Sequence, residues 1–535
     1  MGPNEFSQNI DFILAEQYCK NGNFTEGLKR YEGILQYLEE IQLRQYILRR
    51  YQYGGELIEK QNYLLALEQY RKVLEIQGAP VSVYKNMGLC LYHLNEPTFA
   101  LECLKQFDAL SEDKDDAYIL MGDVYFNKLK DNLKAIEYYE KAIELFPENF
   151  ALFNMLGHLY STVYRDEHQE EQIKYLTRAY ELRPDERIVV KNLSYVLGKF
   201  GYIKEADEMY KKLLYMNPTH ADLHSYGAYL VKLGRFYEGF RYLQHRYDKE
   251  DLPENAFPEL YKNKEKQWFD GVDITGKDVV IHYEQGFGDT IMFSRFIPQI
   301  QERCNKVWIV VQNDLVDLMS DNFENVISVD KFNYYKLKYD LWIAMMDLPI
   351  VCNTTIETIP FSEGWLNVPQ EDVDKFKKYI HENDKLKIGF AFEGTLSSKE
   401  TVRDIPAKEL QPILDLEGVQ CYSFQYDDIY NQKKDIHGYI ELKDTFHNWK
   451  DTACAMKNMD LIVTTDNGVM NLAGALGVKT FGIFNTISEW RWFKTEGKDI
   501  GWYKSIRPFK CPHNEDWKTP VKQIVKEIKK IQKRK

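Results

Sequence analysis

The chain has 535 residues, of which 44% are hydrophobic and 28% charged, and 82 acidic against 69 basic side chains leave a net charge of −13. Such a composition builds several sizeable cores and excludes global disorder, and its acidic balance argues against nucleic acid as a partner, because phosphate binding needs a basic footprint. Eight cysteines lie scattered with no C-x-x-C pair, the usage of reduced structural thiols in a cytoplasmic protein rather than of a disulfide framework.

The amino-terminal MGPNEFSQN lacks the basic stretch and apolar core of a signal peptide. No apolar run in the sequence reaches the length of a bilayer crossing, so no integral membrane segment is expected. From residue 9 onward the sequence repeats itself. Gly88, Gly122 and Gly157 recur at steps of 34 and 35, Ala66, Ala100 and Ala135 take the same steps, and Pro147, Pro184 and Pro218 follow at 37 and 34. Residues 116–149, DAYILMGDVYFNKLKDNLKAIEYYEKAIELFPEN, read as two amphipathic helices. Small Gly122 and Ala135 let the pair approach closely, and Pro147 closes the second helix. The pattern resembles the tetratricopeptide repeat. About seven units fit up to residue 250, the first two degenerate and the fifth carrying an insertion at YRDEHQEEQ. The predicted domain over 1–250 is a superhelix whose concave groove takes a protein segment. Most tyrosines in it pack helix on helix; a minority is left to grip an extended polypeptide.

Residues 251–275 break the period with two prolines and many charges and read as a linker pinned by Trp268 and Phe269. From Lys277 the texture changes to short apolar runs separated by helices. The runs DVVIHY, KVWIVV and NVISVD, with YDLWIAMMDLPIVC nearby, form one series; KLKIGFAFEG, VQCYSFQY, GYIELK, MDLIVTTD and KTFGIFN form a second. Strands alternating with helices predict parallel sheets covered on both faces. Two such series predict two Rossmann-like lobes, 276–375 and 376–510, facing across a cleft, with ligands at the carboxyl ends of strands. The segment 511–535 reads as a terminal helix packed on its own domain through Ile524, Ile528 and Ile531.

Three loops carry chemistry. In YEQGFGDTIMF, Glu284 and Gln285 lead into Gly286 and Gly288, which permit a sharp turn and keep side chains out of the cleft. Asp289 then stands where the helix begins. The residues alone leave two readings of it, a cap on free helix amides and a carboxylate presented to the cleft. In TTDNGVMNLAGALG a strand ends at Thr465 and a helix begins between Asp466 and Val469; it reads either as a capped helix packing through Ala473, Gly474 and Ala475 or as free amides and a helix dipole that suit a diphosphate. EGTLSSKETVRDIP supplies two cations, Lys399 and Arg403, which read either as solvated loop charges or as partners for phosphate oxygens. The D-x-D at 372–374 reads as acids opening a helix, and CPH at 511–513 is too small a set for zinc.

Taken in order, GKDVVIHYEQGFGDTIMFSRFIPQI, DLPIVCNTTIETIP, IGFAFEG with RDIP, DTACAMKNMDLIVTTDNGVMNLAGALG, and SEWRWF with GWY resemble the glycosyltransferase region that follows tetratricopeptide repeats in many bacterial proteins. That region is similar to the lipopolysaccharide heptosyltransferase family, which has the GT-B fold. The likeness spans roughly 276–520. It implies an α + α/β protein, a repeat solenoid followed by a GT-B pair whose first lobe serves the acceptor and whose second holds the nucleotide sugar. Carried over residue by residue, it makes Asp289 the catalytic base, with Glu284, Gln285, Gly286 and Gly288 as the acceptor-side loop. Asp466, Asn467, Gly468, Val469 and Asn471 then receive the donor with Lys399 and Arg403, and Glu489 and Arg491 of SEWRWF face the cleft. The chain departs from the family at Asn471, where a histidine is usual, and at Phe392 and Thr395, where tryptophan and asparagine are usual.

The implied reaction is inverting, needs no metal or further cofactor, and moves a sugar onto Ser or Thr hydroxyls of a protein held by the repeats. The layout also resembles O-linked N-acetylglucosamine transferases and flagellin glycosyltransferases. By that analogy the donor is UDP-linked, UDP-N-acetylglucosamine, and the acceptor an exported surface protein such as flagellin. Two other readings stand beside it: a transferase acting on a lipid or saccharide, and a scaffold whose catalytic half has decayed.

Overall fold

Helix follows helix through Met1–Val196, the first of two units into which the computed structural model divides; the second is Leu197–Lys535. The described residues are 3–112, 116–165, 167–248, 258–268, 271–394, 403–486, 492, 494–495, 498–499, 501–513 and 515–534. In the first unit Ala117–Asp123, which widens into a π turn over Val124–Leu129, packs on Asn132–Leu145, and Phe150–Val163 packs on Gln169–Leu182. The repeating glycines explain the closeness of these pairs. A methyl group on Gly122 would lie 2.5 Å from the ring of Tyr139, and one on Gly157 would lie 2.4 Å from Leu176 Cγ, far inside van der Waals contact. The tyrosines behave largely as packing residues, as the periodicity predicts. Tyr139 is buried and donates to Asp123 Oδ1 at 2.6 Å, while Tyr160 and Tyr175 converge on Glu140 Oε1 at 2.6 and 3.2 Å.

The second unit opens with the last repeat helices, Ile203–Leu214, His220–Lys232 and Phe236–Leu243, the last of which tightens into a 3₁₀ turn at Gln244–Tyr247. Two parallel sheets follow. The first contains β1 (Asp278–His282), β2 (Lys306–Val311), β3 (Val326–Ser328) and β4 (Leu341–Ala344) in the order β3-β2-β1-β4. The second draws on β5 (Leu386–Ala391), β6 (Val419–Ser423), β7 (Tyr439–Glu441), β8 (Leu461–Thr465) and β9 (Thr480–Phe484). A two-stranded antiparallel ribbon, β10 (Lys494–Thr495) with β11 (Lys498–Asp499), stands apart, and β12 (Ile506–Lys510) completes the second sheet in the order β12-β9-β8-β5-β6-β7. Nearly every residue of β1, β5, β8 and β9 is buried, the pattern of a parallel sheet covered on both faces.

In both sheets the order runs outward from the first strand on one side and resumes on the other, between β1 and β4 and between β5 and β8. These are the points at which open parallel sheets leave a crevice beyond the strand ends. Three strands escape the sequence reading, β10, β11 and β12, and the last, IRPFK, carries two basic residues and a proline. It lies at the sheet edge against β9, where Pro508 need not donate to a further strand. The helix Lys518–Gln532 buries Val521, Ile524 and Ile528 on the core of this sheet. Among the described residues no helix is long and apolar enough to cross a membrane.

The end of β1 yields a stability prediction. His282 is 1% exposed, its Nδ1 lies 2.6 Å from Tyr283 O, and burial pulls its pKa down to about 4. The unfolded chain takes up that proton near pH 6.5 while the folded one refuses it, so stability falls as pH drops from 6.5 toward 4. The share due to His282 reaches about 3 kcal/mol at the lower end. Urea unfolding of the wild type and of His282→Phe at pH 7 and pH 4.5 is expected to show a smaller acid loss in the variant.

Candidate functional site

The two glycine loops lie at the crevices just described. After β1 the chain passes through Tyr283, Glu284 and Gln285, which adopts a left-handed φ of +64°, to Gly286. The helix Phe287–Phe293 then begins. Gly286, not Asp289, holds the N-cap position; Asp289 is three residues on, half-buried, and its Oδ2 accepts from Gly286 N at 3.3 Å. The carboxylate therefore closes the turn on itself at the positive end of the helix. Gln312, just past β2, steadies the loop from the other side: its Nε2 donates to Gln285 O at 3.3 Å and its Oε1 accepts from Thr290 Oγ1 at 2.9 Å.

Glu284 does not face open space. It is 8% exposed and grips Arg246 through two bonds, Nε to Oε1 at 2.6 Å and Nη2 to Oε2 at 2.7 Å. The same guanidinium lies 2.9 Å from Asp347 Oδ1, beyond β4, and Tyr247 donates to Asp347 Oδ2 at 2.7 Å. Burial raises the Glu284 carboxyl and Arg246 opposes that rise, while the two carboxylates hold the arginine firmly protonated.

The second loop follows β8. Asn467 is the N-cap of the helix Gly468–Ala475, its Oδ1 accepting from Met470 N at 3.2 Å and from Thr464 Oγ1 at 3.1 Å. Gly468 and Val469 precede that donor and have no carbonyl one turn back. Asp466 is 8% exposed, and Arg403 Nη1 approaches its Oδ2 to 3.9 Å. Arg403 Nε is buried with no hydrogen-bond partner among the described residues. Asn471 is a packing residue of this helix: Nδ2 donates to Asn467 O at 3.2 Å and Oδ1 accepts from Tyr503 OH at 2.8 Å. Lys399, Glu489 and Arg491, with Thr395 and Phe269, lie outside the described residues.

The helices of the two loops touch. A methyl group on Gly288 would sit 2.9 Å from Asn471 Nδ2 and 3.5 Å from Gly468 Cα. Phe287 meets Trp449 at 5.4 Å between ring centroids, and a methyl on Gly468 would strike Trp449 at 2.6 Å. At Gly288 the bare backbone lets the helix carrying Asp289 come close against the helix capped by Asn467, and at Gly468 it admits the ring of Trp449. The two acids of D-x-D are surface ion-pair partners, Asp372 with Lys375 at 2.6 Å and Lys450 at 2.9 Å, and Asp374 with Lys377 at 2.7 Å.

A family model described as tetratricopeptide repeat matches residues 115–149 and 192–220. The chain carries tetratricopeptide repeats. Over 96% of this chain, repeats included, and 82% of its own length, Protein FlbA of Caulobacter vibrioides is 23% identical across 543 aligned residues. A UDP-N-acetylglucosamine–peptide N-acetylglucosaminyltransferase of Giardia intestinalis is 31% identical over 104 residues, 19% of this chain and 7% of that protein. The crystal structure of MamA covers 30% of this chain and 93% of its own, at 23% identity and a TM-score of 0.28.

Several site residues escaped the sequence reading. Arg246 and Tyr247 sit in the last repeat, where nothing in the 34-residue period marks them; Asp347 sits in the apolar stretch AMMDLPIV, where a lone acid is itself the signal. Glu393, beyond β5, is 3% exposed and binds Ile429 N at 2.7 Å and Gln432 Nε2 at 2.9 Å. Asn467 Nδ2 reaches Glu393 O at 3.4 Å, so the ends of β5 and β8 are tied together.

Proposed function

We propose that the protein is a glycosyltransferase whose two parallel sheets form a GT-B pair and whose repeats hold a protein acceptor. The carrying observation is the contact of the two loop helices through Gly288, Gly468 and Asn471, which brings an acid-bearing turn and an anion-suited helix start side by side at two sheet crevices. In this reading the donor diphosphate rests on the amides of Gly468 and Val469, with Arg403 beside it. Arg403 Nε is buried without a protein acceptor among the described residues, which suits a guanidinium that completes its bonding on a ligand. Asp289 takes the proton of a Ser or Thr hydroxyl as that oxygen attacks the anomeric carbon and the nucleoside diphosphate leaves from the opposite side. The donor is UDP-linked, with UDP-N-acetylglucosamine the first candidate, and the acceptor an exported surface protein of the flagellin kind, modified before export. Lys399, Glu489 and Arg491 belong to the donor side of the same proposal. The reaction needs no metal, since Arg403 and the helix amides supply the positive field.

The expected result with purified full-length protein is a thermal shift with one nucleotide sugar of a panel, followed by a gain of one sugar mass on a co-expressed acceptor in intact-mass spectra. Absence of nucleotide binding together with unmodified acceptor overturns the proposal.

A further inference from the structure

We infer that the last turn of the repeat region belongs to the catalytic apparatus: Arg246 is a positioning residue that holds the loop 284–286 and, through it, the carboxylate of Asp289. The inference rests on the reading of Asp289 as the base. Arg246 lies in the 3₁₀ turn that continues directly from the helix Phe236–Leu243. It is 5% exposed, and its guanidinium lies between Glu284, which follows β1, and Asp347, which follows β4. Those strands flank the crevice of the first sheet. The repeat region therefore places its own cation in the floor of a crevice where an open sheet otherwise receives a ligand.

From there the path to Asp289 is short. Glu284 is fixed by two bonds, Gln285 takes its left-handed turn, and Gly286 donates its N–H to Asp289. Opposite, Gln312 Nε2 donates to Gln285 O at 3.3 Å. A planar fork and a point charge act differently here: arginine fixes both oxygens of a carboxylate, while lysine keeps the charge and releases the orientation. A merely structural ion pair would lower the melting temperature when weakened and leave turnover of the folded protein intact. A positioning pair lets the base drift, and a misplacement of about 1 Å costs about 100-fold in rate.

The test compares the full chain with Arg246→Lys, and with Tyr247→Phe as the milder change should the first fail to fold. Two readouts are taken, hydrogen exchange and the rate of UDP release from UDP-N-acetylglucosamine. Amides of residues 284–289 are expected to exchange about tenfold faster in the variant, those of residues 466–471 at the parent rate. Turnover falls about 100-fold with an unchanged KM for the donor. Parent-like turnover in a folded variant overturns the positioning role, whatever the exchange shows, and so does unchanged protection of residues 284–289. If the parent chain itself turns over no nucleotide sugar, the transferase reading fails, and exchange at 284–289 alone then decides whether Arg246 holds the loop.

Discussion

In an Asp289→Asn variant sugar transfer is expected to fall by about 10²–10⁴-fold, while the nucleoside diphosphate binds as tightly as to the parent chain. The substitution is nearly isosteric. The amide oxygen of asparagine still accepts from Gly286 N, the bond that Asp289 Oδ2 makes at 3.3 Å, so the turn and the helix behind it persist. What is lost is a proton acceptor. The donor half of the proposed site lies after β8, on groups the substitution does not touch: Asn467, Gly468, Val469 and Arg403. Binding and chemistry should therefore separate, with the donor Kd held and kcat lost. Calorimetry with UDP and a single-turnover assay on the same preparation make the comparison; full turnover by the asparagine variant removes Asp289 from the role.

Periodicity and apolar runs carried the architecture because burial imposes both. Gly122 and Gly157 had to be glycine to admit Tyr139 and Leu176, and β1, β5, β8 and β9 had to be largely apolar to sit between helices. Where these pressures relax, the sequence falls silent. β12 lies at an edge and admits Arg507 and Pro508. The two loops were legible as glycine-bearing breaks between strand and helix, yet the role of each acid within them was not. Asp289 and Glu284 are five residues apart in one loop; the first turns inward on its own helix start and the second is consumed by an arginine 38 residues earlier in the chain. No local pattern announces such a partner, because an ion pair between a repeat and a sheet depends on how distant segments pack. Asn471 shows the converse. Set beside the family it looks like a lost ligand, while its contacts with Asn467 and Tyr503 give it a packing task of its own.

The other large effect concerns stability at that ion pair. Replacing Arg246 by leucine leaves Glu284 and Asp347, 8% and 1% exposed, as two like charges in one buried site with no cation. Removing one partner of a buried pair costs about 3–5 kcal/mol, and repulsion between the orphaned carboxylates pushes the loss toward the upper end. Part of the loss should return at low pH, where one of the two takes up a proton. The cluster as a whole is a different matter. Its desolvation cost offsets much of its attraction, so exchanging all three charges together, Arg246→Met with Glu284→Gln and Asp347→Asn, is expected to cost far less than the single change. Chemical denaturation of the three proteins at pH 7 and pH 5 tests both halves of the argument. A single variant as stable as the parent would mean that the arginine is not what compensates these carboxylates. A triple variant as unstable as the single one would mean that the ion pair supplies net stability to the fold, beyond the orientation it gives the loop.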